Sequence, residues 1–470
     1  MPDPADLLTG KIYYRGEPGY EPLRLKPARA EVDWNARAVD RYPDAVVVAR
    51  DDQDVVAAVR LARGRGWKVK ARSGGHSWVD SSIRDGGVLI DLSHMTEITV
   101  DVRERTAIVG PGVRSQELNP HLLPHGLYFP TGGCRDVGFG GFVLQGGFGF
   151  NTTEVGVAAM SVTSMDVVTA DGELVHASDA DNPDLFWAAR GSGSGFFGVV
   201  TRFHVRLHPM PPEIRARGFF YAPEDAGVIF RWLMELSEAG LPQGLQIGVF
   251  VLPKFAETVP GGTGAVVNVF GVAKSSTEEH ALELLRVLDT CPAAGRALLR
   301  EPAVAAGPSS PGEGLTAVYP DGLHFVADNM WTDASADELV PHLEELVKTF
   351  PTTRSHLLFG PHTVHELPDF AFSMQGRYYL AVYGVAEDAD GVTDADLARW
   401  TTEQMRKLEP LSKGIQFADE NLLCRPWPGM APANSARLEE LRATRDPDGV
   451  FHSYLLPPSV AGFPDAGSKA

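Results

Sequence analysis

The sequence predicts an α+β protein of more than one domain, on three observations. Its 470 residues exceed what one hydrophobic core usually fills, and suggest two or three domains or one large domain with an insertion. From about residue 40 to 210, short Val/Ile-rich runs alternate with glycine clusters. From about 213 to 410, longer strand-like runs are separated by well-capped helices with few strict β-α-β spacings, a pattern that predicts a sheet covered on one face.

The elements follow in order. Ala45–Ala49 is an apolar run of strand length. Asp52–Gly64 reads as a helix: acidic residues open it, Val55, Val56, Val59 and Ala62 are its apolar positions, and Gly64 ends it. Trp67–Ala71 is the next strand, which completes a β-α-β unit, and a glycine loop follows directly. Asn182–Arg190 reads as a helix and Val199–Leu207 as an alternating strand. Ile247–Leu252, Gly264–Ala273 and Arg377–Ala386 are further strand runs. Ser276-Thr277-Glu278-Glu279 and Ser335-Ala336-Asp337-Glu338 are capping boxes, in which a hydroxyl and a carboxylate satisfy the free N–H groups of a helix start. Thr393-Asp394-Ala395-Asp396 opens a third helix in the same way. Glu301–Gly314 is a Pro/Gly-rich loop, and Asn434–Thr444 is an amphipathic helix stopped by Asp446-Pro447-Asp448-Gly449.

Composition narrows the function. Lys and Arg number 42 against 61 Asp and Glu, and the resulting net charge of −19 repels a phosphate backbone, so nucleic acid is not an expected partner. Apolar runs fall far short of the roughly 18 residues of a membrane span, so no membrane partner is expected either. Residues 1–30 lack a basic-then-apolar export pattern, and a cytoplasmic location is expected. Cys134, Cys291 and Cys424 are too few and too scattered for a disulfide framework or a four-cysteine zinc site. No metal site is expected. His362-Thr363-Val364-His365-Glu366, which follows Pro361, reads as a solvated turn.

Three glycine-rich segments concentrate the chemistry. In Arg72-Ser73-Gly74-Gly75-His76-Ser77-Trp78 a strand ends, and two glycines let successive backbone N–H groups point into one concavity. Such a nest, flanked by Arg72 and two hydroxyls, suits a pyrophosphate; the same string also suits a tight turn with an exposed histidine. Pro130–Phe150 holds eight glycines in about twenty residues, too many for a stable regular element. It suits either a backbone that approaches a flat or phosphorylated ligand, or a flexible surface loop. Within it Cys134, beside Arg135, is either a reactive thiol or an inert one. The third segment, Gly191–Gly198, follows a helix and precedes a strand. That order is the reverse of a nicotinamide-binding Rossmann motif, which is therefore disfavoured.

Taken in order, Arg72–Ser77, Cys134 with Val137-Gly138 and the glycines after them, Asp166–Gly172, Asn182–Arg190 and Gly198–Thr201 resemble successive landmarks of one family. It is the FAD-linked oxidases of the vanillyl-alcohol oxidase/para-cresol methylhydroxylase (PCMH) fold, and within it the berberine bridge enzyme-like group. The resemblance spans about 40–212; Asn434–Leu438 and Arg445–Phe451 resemble the group's C-terminal motif, and the middle region matches by position and texture. It implies a PCMH-type FAD-binding domain of two α+β subdomains over residues 1–212. A substrate domain with an antiparallel sheet covered by helices would occupy 213–410, and a segment over 411–470 would return to the FAD domain. It implies FAD held by two covalent bonds, from His76 to the 8α-methyl and from Cys134 to ring C6. It places Arg72, Ser73, Gly74, Gly75, His76 and Ser77 around the pyrophosphate, and Gly133 beside the linked cysteine. Val137, Gly138, Gly141, Gly147 and Gly149 would line the flavin, Gly198 and Val200 would contact the nucleotide side, and Asn434 would lie near the flavin.

Departures from the family pattern bear on catalysis. Phe139 is bulkier than the usual residue between the paired glycines, which sets it against oxygen access, and Phe142 replaces a histidine. The Tyr-x-Asn segment whose tyrosine supports substrate deprotonation is replaced by something like Gln416-Phe417-Ala418-Asp419, and Met430-Ala431 stand where a tyrosine pair is usual. The base is therefore sought elsewhere. On the strand around Arg377–Tyr383, alternation puts Tyr379 and Tyr383 on one face and Tyr378 on the other. Tyr379, Tyr383 or Asp419 is the expected base, against the alternative that the tyrosines only pack in the sheet. The expected activity is removal of hydride from a small or medium organic molecule (an alcohol, sugar or secondary metabolite) with molecular oxygen as acceptor, by a monomer or homodimer. A flavin dehydrogenase using another acceptor and a non-catalytic flavin-binding protein are the alternatives.

Overall fold

The computed structural model describes residues 8–457 except 32, 38, 150, 151, 263 and 308–317. Phe150 and the 308–314 part of the expected loop lie outside the described residues. The chain is α+β, and its described residues form two smaller sheets, one large one and a two-stranded pair of Leu127–Tyr128 with His208–Pro209.

In the first sheet, strands Ala45–Val48 and Val69–Arg72 both pair in parallel with Val88–Asp91, which lies between them; Lys11–Tyr14 closes the other edge antiparallel. The connection is helix Asp52–Gly64, as expected from its apolar positions, and Asp51 caps it by accepting the Asp54 N–H at 3.0 Å. The second sheet is antiparallel, in the order Ile98–Asp101, Thr106–Val109, Val199–Arg206, Val162–Val168, Leu174–Ala177. Val47, Val55, Val59, Ile90, Met165 and Phe203, fully buried, join both sheets and the intervening helix in one core. The glycine-rich run is not wholly irregular as expected: it contains a short helix, Phe139–Leu144, because Phe139 and Val143 are buried in that core.

The third sheet has nine strands among the described residues. Its central order is Glu213–Tyr221, Val266–Ser275, Leu245–Leu252, His356–Pro361, Tyr378–Ala386, His324–Thr332, and every pairing is antiparallel. Helices Ala226–Ala239, Ala336–Leu346 and Asp394–Leu408 cover one face, burying Phe230, Leu233, Leu343 and Met405 against Val249, Phe359, Leu380 and Val382. The capping boxes at Ser335 and Thr393 form. At the first box the cap is Thr277, one residue later than expected, because Thr277 is the extended residue whose hydroxyl accepts the His280 N–H.

After helix Pro432–Arg445 the chain returns to the first sheet. Val69 N–H donates to Val450 O at 2.7 Å, and His452 N–H donates to Val69 O at 3.0 Å. No helix among the described residues is long and apolar enough to cross a membrane.

Candidate functional site

A cavity of about 340 Å³ lies between the glycine loops and the uncovered face of the large sheet. Strand Val69–Arg72 delivers the first loop to it, and Gly74 and Gly138 bring the two loops into backbone contact: a Cβ on either would overlap the other's main chain. Gly75 has φ +71°, a left-handed turn that glycine adopts without a Cβ penalty. Its carbonyl accepts the Trp34 indole N–H at 2.8 Å, and the Trp34 ring stacks on His76 with centroids 4.6 Å apart. His76 Nε2 lies 2.9 Å from Asp136 Oδ2, and against the effect of burial this contact holds the Asp136 carboxyl below its ordinary value.

Of the residues singled out in the sequence, Arg72, Ser73, Gly74, Gly75, His76, Ser77, Gly133, Cys134, Val137, Gly138, Gly141, Gly149, Gly198, Tyr379, Tyr383 and Asp419 line this cavity. Three do not. Gly147 (φ +79°) is closed in by Ala158 and Phe142, Val200 is 3% exposed in the core, and Asn434 spends its amide on Phe370 O at 2.9 Å. Arg72 reaches the lining, but its guanidinium is already committed. It pairs with Asp91 at 2.7 Å and donates to the carbonyls of Leu23, Arg24 and Lys26 at 2.5–2.8 Å, because the buried end of the strand leaves those acceptors no water. Lys70, which the sequence reading missed, also lines the cavity. Its ammonium donates to Ser194 O and to His452 O, and burial pushes its pKa down to about 7.

Cys134 is a free thiol, and burial, reinforced by Asp136, Asp419 and Asp321, pushes its pKa up to about 12. It is therefore a protonated, weakly nucleophilic thiol in the protein alone, unlike a reactive surface cysteine. Phe139, expected to obstruct oxygen, is 4% exposed and turned into the core against Phe129 and Phe203. His362, expected in a solvated turn, is buried against Trp331 and held down to about 4 by burial.

At the other end, strand Tyr378–Ala386 alternates as expected. Tyr378 donates to Met234 O under the helices, while Tyr379 and Tyr383 face the cavity. Both phenols donate to Asp419 Oδ2, Tyr383 at 2.9 Å and Tyr379 more closely, and the Trp78 indole donates to Oδ1 at 2.7 Å. Asn329 fixes the same residue through Asp419 O at 2.7 Å. Burial raises the Asp419 pKa, while its three donors oppose that rise. Burial and the neighbouring carboxylate push both tyrosines well above 10. Behind Tyr383, buried His356 stacks on its ring at 4.8 Å and bonds Tyr319 OH at 3.0 Å. Sequence pattern gave no sign of Trp34, Tyr319 or His356, which are brought in by tertiary contacts alone; Trp78 was visible only as the end of the glycine motif.

This geometry fits a large, flat, phosphorylated cofactor. At Gly141 a Cβ would enter open cavity and meet no protein atom within 4 Å, and Ser194 Oγ and His452 Nε2 are buried polar atoms of the lining without a hydrogen-bond partner. A mixed sheet and an antiparallel sheet, facing a third sheet across this glycine-lined cavity, define a protein that binds such a cofactor at the junction of its sheets.

Comparison with known proteins agrees. Residues 43–178 match the model of an FAD binding domain. The chain is 31% identical over 420 residues to the FAD-linked oxidoreductase ptmO of Penicillium ochrochloron, covering 88% of this chain and 89% of that protein. The crystal structure of 6-hydroxy-D-nicotine oxidase from Arthrobacter nicotinovorans superposes with a TM-score of 0.81 at 22% identity, covering 95% of this chain and 97% of the other. Glucooligosaccharide oxidase from Acremonium strictum, whose FAD is described as 6-S-cysteinyl, 8α-N1-histidyl, superposes with a TM-score of 0.79 at 20% identity over 96% and 98% of the two chains. The chain belongs to the FAD-linked oxidoreductases, with the PCMH-type fold of the berberine bridge enzyme-like oxidases.

Proposed function

We propose that this chain is a covalently flavinylated FAD oxidase that removes hydride from a hydroxyl-bearing, largely apolar secondary metabolite and passes the electrons to molecular oxygen. The observation that carries the reading is Asp419, a carboxylate at the junction of the glycine cradle and the large sheet that collects Trp78, Tyr379 and Tyr383. The substrate wall favours an apolar metabolite over a sugar: Phe250, Phe270, Leu358 and Phe148 contribute to it. Phe139, turned into the core, is no obstacle to oxygen, which favours the oxidase over the dehydrogenase reading.

His76 and Cys134, both in the cradle lining, are the residues that would hold FAD covalently, and the nest Ser73–Ser77 would take its pyrophosphate. FAD bound there supplies the two-electron acceptor for the substrate's hydride. The protein's own part is proton management. A substrate hydroxyl that hydrogen-bonds to the oxygen of Tyr379 or Tyr383 gives up its proton to that phenol as the phenol passes its own to Asp419. The high tyrosine pKa values disfavour a standing phenolate, so Asp419 is the terminal acceptor and the tyrosines are relays. The apolar wall and Trp78 exclude water from this exchange.

Intact mass of the acid-denatured protein tests the attachment. Wild type, His76→Ala and Cys134→Ala are expected to carry the mass of FAD, and the double variant to lose it; a wild type at bare chain mass overturns the covalent reading. Anaerobic mixing with candidate metabolites, followed by oxygenated buffer, tests the activity. Bleaching and then fast recovery of the flavin band is expected, and recovery only with an added dye would establish a dehydrogenase.

A further inference from the structure

A second site lies away from the cavity, on the antiparallel sheet of the N-terminal half. Asp166, on strand Val162–Val168, is directly opposite His176 on strand Leu174–Ala177. His204, on strand Val199–Arg206, flanks it on the other side, diagonal to Asp166 and two residues beyond Arg202, its direct partner. Period-two alternation puts the three side chains on one face, although 10 and 28 residues separate them along the chain.

Their ligating atoms converge. His176 Nδ1 lies 2.9 Å from Asp166 Oδ1, His204 Nε2 lies 3.6 Å from Asp166 Oδ2, and one donor atom from each residue falls within 4.8 Å of the others. Bonds of about 2.0–2.2 Å to a tetrahedral zinc ion put ligand atoms roughly 3.4 Å apart, so these spacings need only small side-chain movements. His204 Nε2 adds an independent sign. It is shielded from solvent, has no hydrogen-bond partner, and points at a carboxylate oxygen too distant to bond. Arg202 is the competing cation, 3.6 Å from Asp166 Oδ2, but its guanidinium is engaged by Asp52 and by Glu97 at 3.3 Å.

We propose that Asp166, His176 and His204 bind one borderline divalent cation, zinc by preference, that clamps three neighbouring strands with one coordination position left to solvent. Two imidazole nitrogens and a carboxylate suit zinc over magnesium or calcium, which prefer all-oxygen ligands. The three residues lie outside the cavity lining, so the ion acts on the stability of the flavin-binding half and takes no part in oxidation.

The test uses the full chain with its flavin and with any affinity tag removed. Equilibrium dialysis against ZnCl₂ with elemental analysis is expected to find one zinc per chain in the wild type. Asp166→Asn and His176→Ala/His204→Ala are expected to bind at least about tenfold more weakly. Zinc should raise the melting temperature of the wild type and leave both variants unmoved, while an unchanged flavin spectrum shows that the variants fold. Failure of the wild type to bind zinc, or retention of the ion by the double-histidine variant, would overturn the site. Neither result bears on the oxidase reading, which rests on other residues.

Discussion

At the scale of single residues, the proposed proton relay turns on Asp419. Asp419→Asn keeps the shape and removes the proton acceptor, so we expect flavin reduction under anaerobic conditions to slow by about 10²–10⁴-fold with substrate binding retained. In the wild type the same carboxylate must be ionised to accept a proton, and its pKa is raised. The rate of reduction should therefore fall with acidification at a pH above the ordinary carboxylate range, and Asp419→Asn should lose this limb. Tyr379→Phe and Tyr383→Phe should each reduce the rate, and the double variant should approach Asp419→Asn. Unchanged reduction in all three variants would leave the tyrosines as packing residues and exclude the relay. The residue scale is also where sequence was most informative: Tyr379, Tyr383 and Asp419 were each singled out. That one carboxylate collects both phenols was not legible, because 36 residues separate Tyr383 from Asp419 and only the closure of the large sheet joins them.

Elements explain why the glycines fall where they do. Gly74 and Gly138 stand at a main-chain crossing, and we expect Gly74→Ala or Gly138→Ala to destabilise the protein by about 1–3 kcal/mol in urea unfolding. Gly141 is different: it sits within helix Phe139–Leu144, lines the cavity, and a Cβ there would meet no protein atom within 4 Å. Gly141→Ala should leave the flavin-free protein as stable or raise its stability by about 0.5–1 kcal/mol, yet reduce flavin content. Loss of stability without loss of flavin would show that the space at Gly141 serves packing alone. Sequence patterning missed this helix because glycine propensity outweighs two buried side chains in any local count, whereas burial of Phe139 and Val143 decides the outcome in the folded chain. It located longer helices well, since the apolar positions of Asp52–Gly64 and the start signal at Thr393 both fall where helices form.

Across the whole molecule, the C-terminal return places opposite charges in the interior. Glu420 is buried, its carboxylate oxygens have no hydrogen-bond partner, and burial lifts its pKa to about 7, against the opposing pull of Lys70 and Arg84. A folded-state value above the unfolded one means that the native state holds the proton more tightly, so this group erodes stability as pH rises from about 4.5 towards 7. Glu420→Gln should gain in urea midpoint relative to wild type between pH 5 and pH 8; a constant difference would contradict the assignment. Strand Val69–Arg72, the large sheet and the 450–452 tail, which meet around the cavity, carry no shared local signal, so their meeting was expected from the family resemblance alone and not from any local pattern. The large sheet has a further consequence. Along Leu245–Leu252 and His356–Pro361, Phe250 and Leu358 look into the cavity, while Val249 and Phe359 knit the sheet to its helices. Mutation can therefore rewrite the inward letters of these strands without disturbing either the covering helices or the glycine loops, and a lineage on this scaffold can change what it oxidises while inheriting how it oxidises.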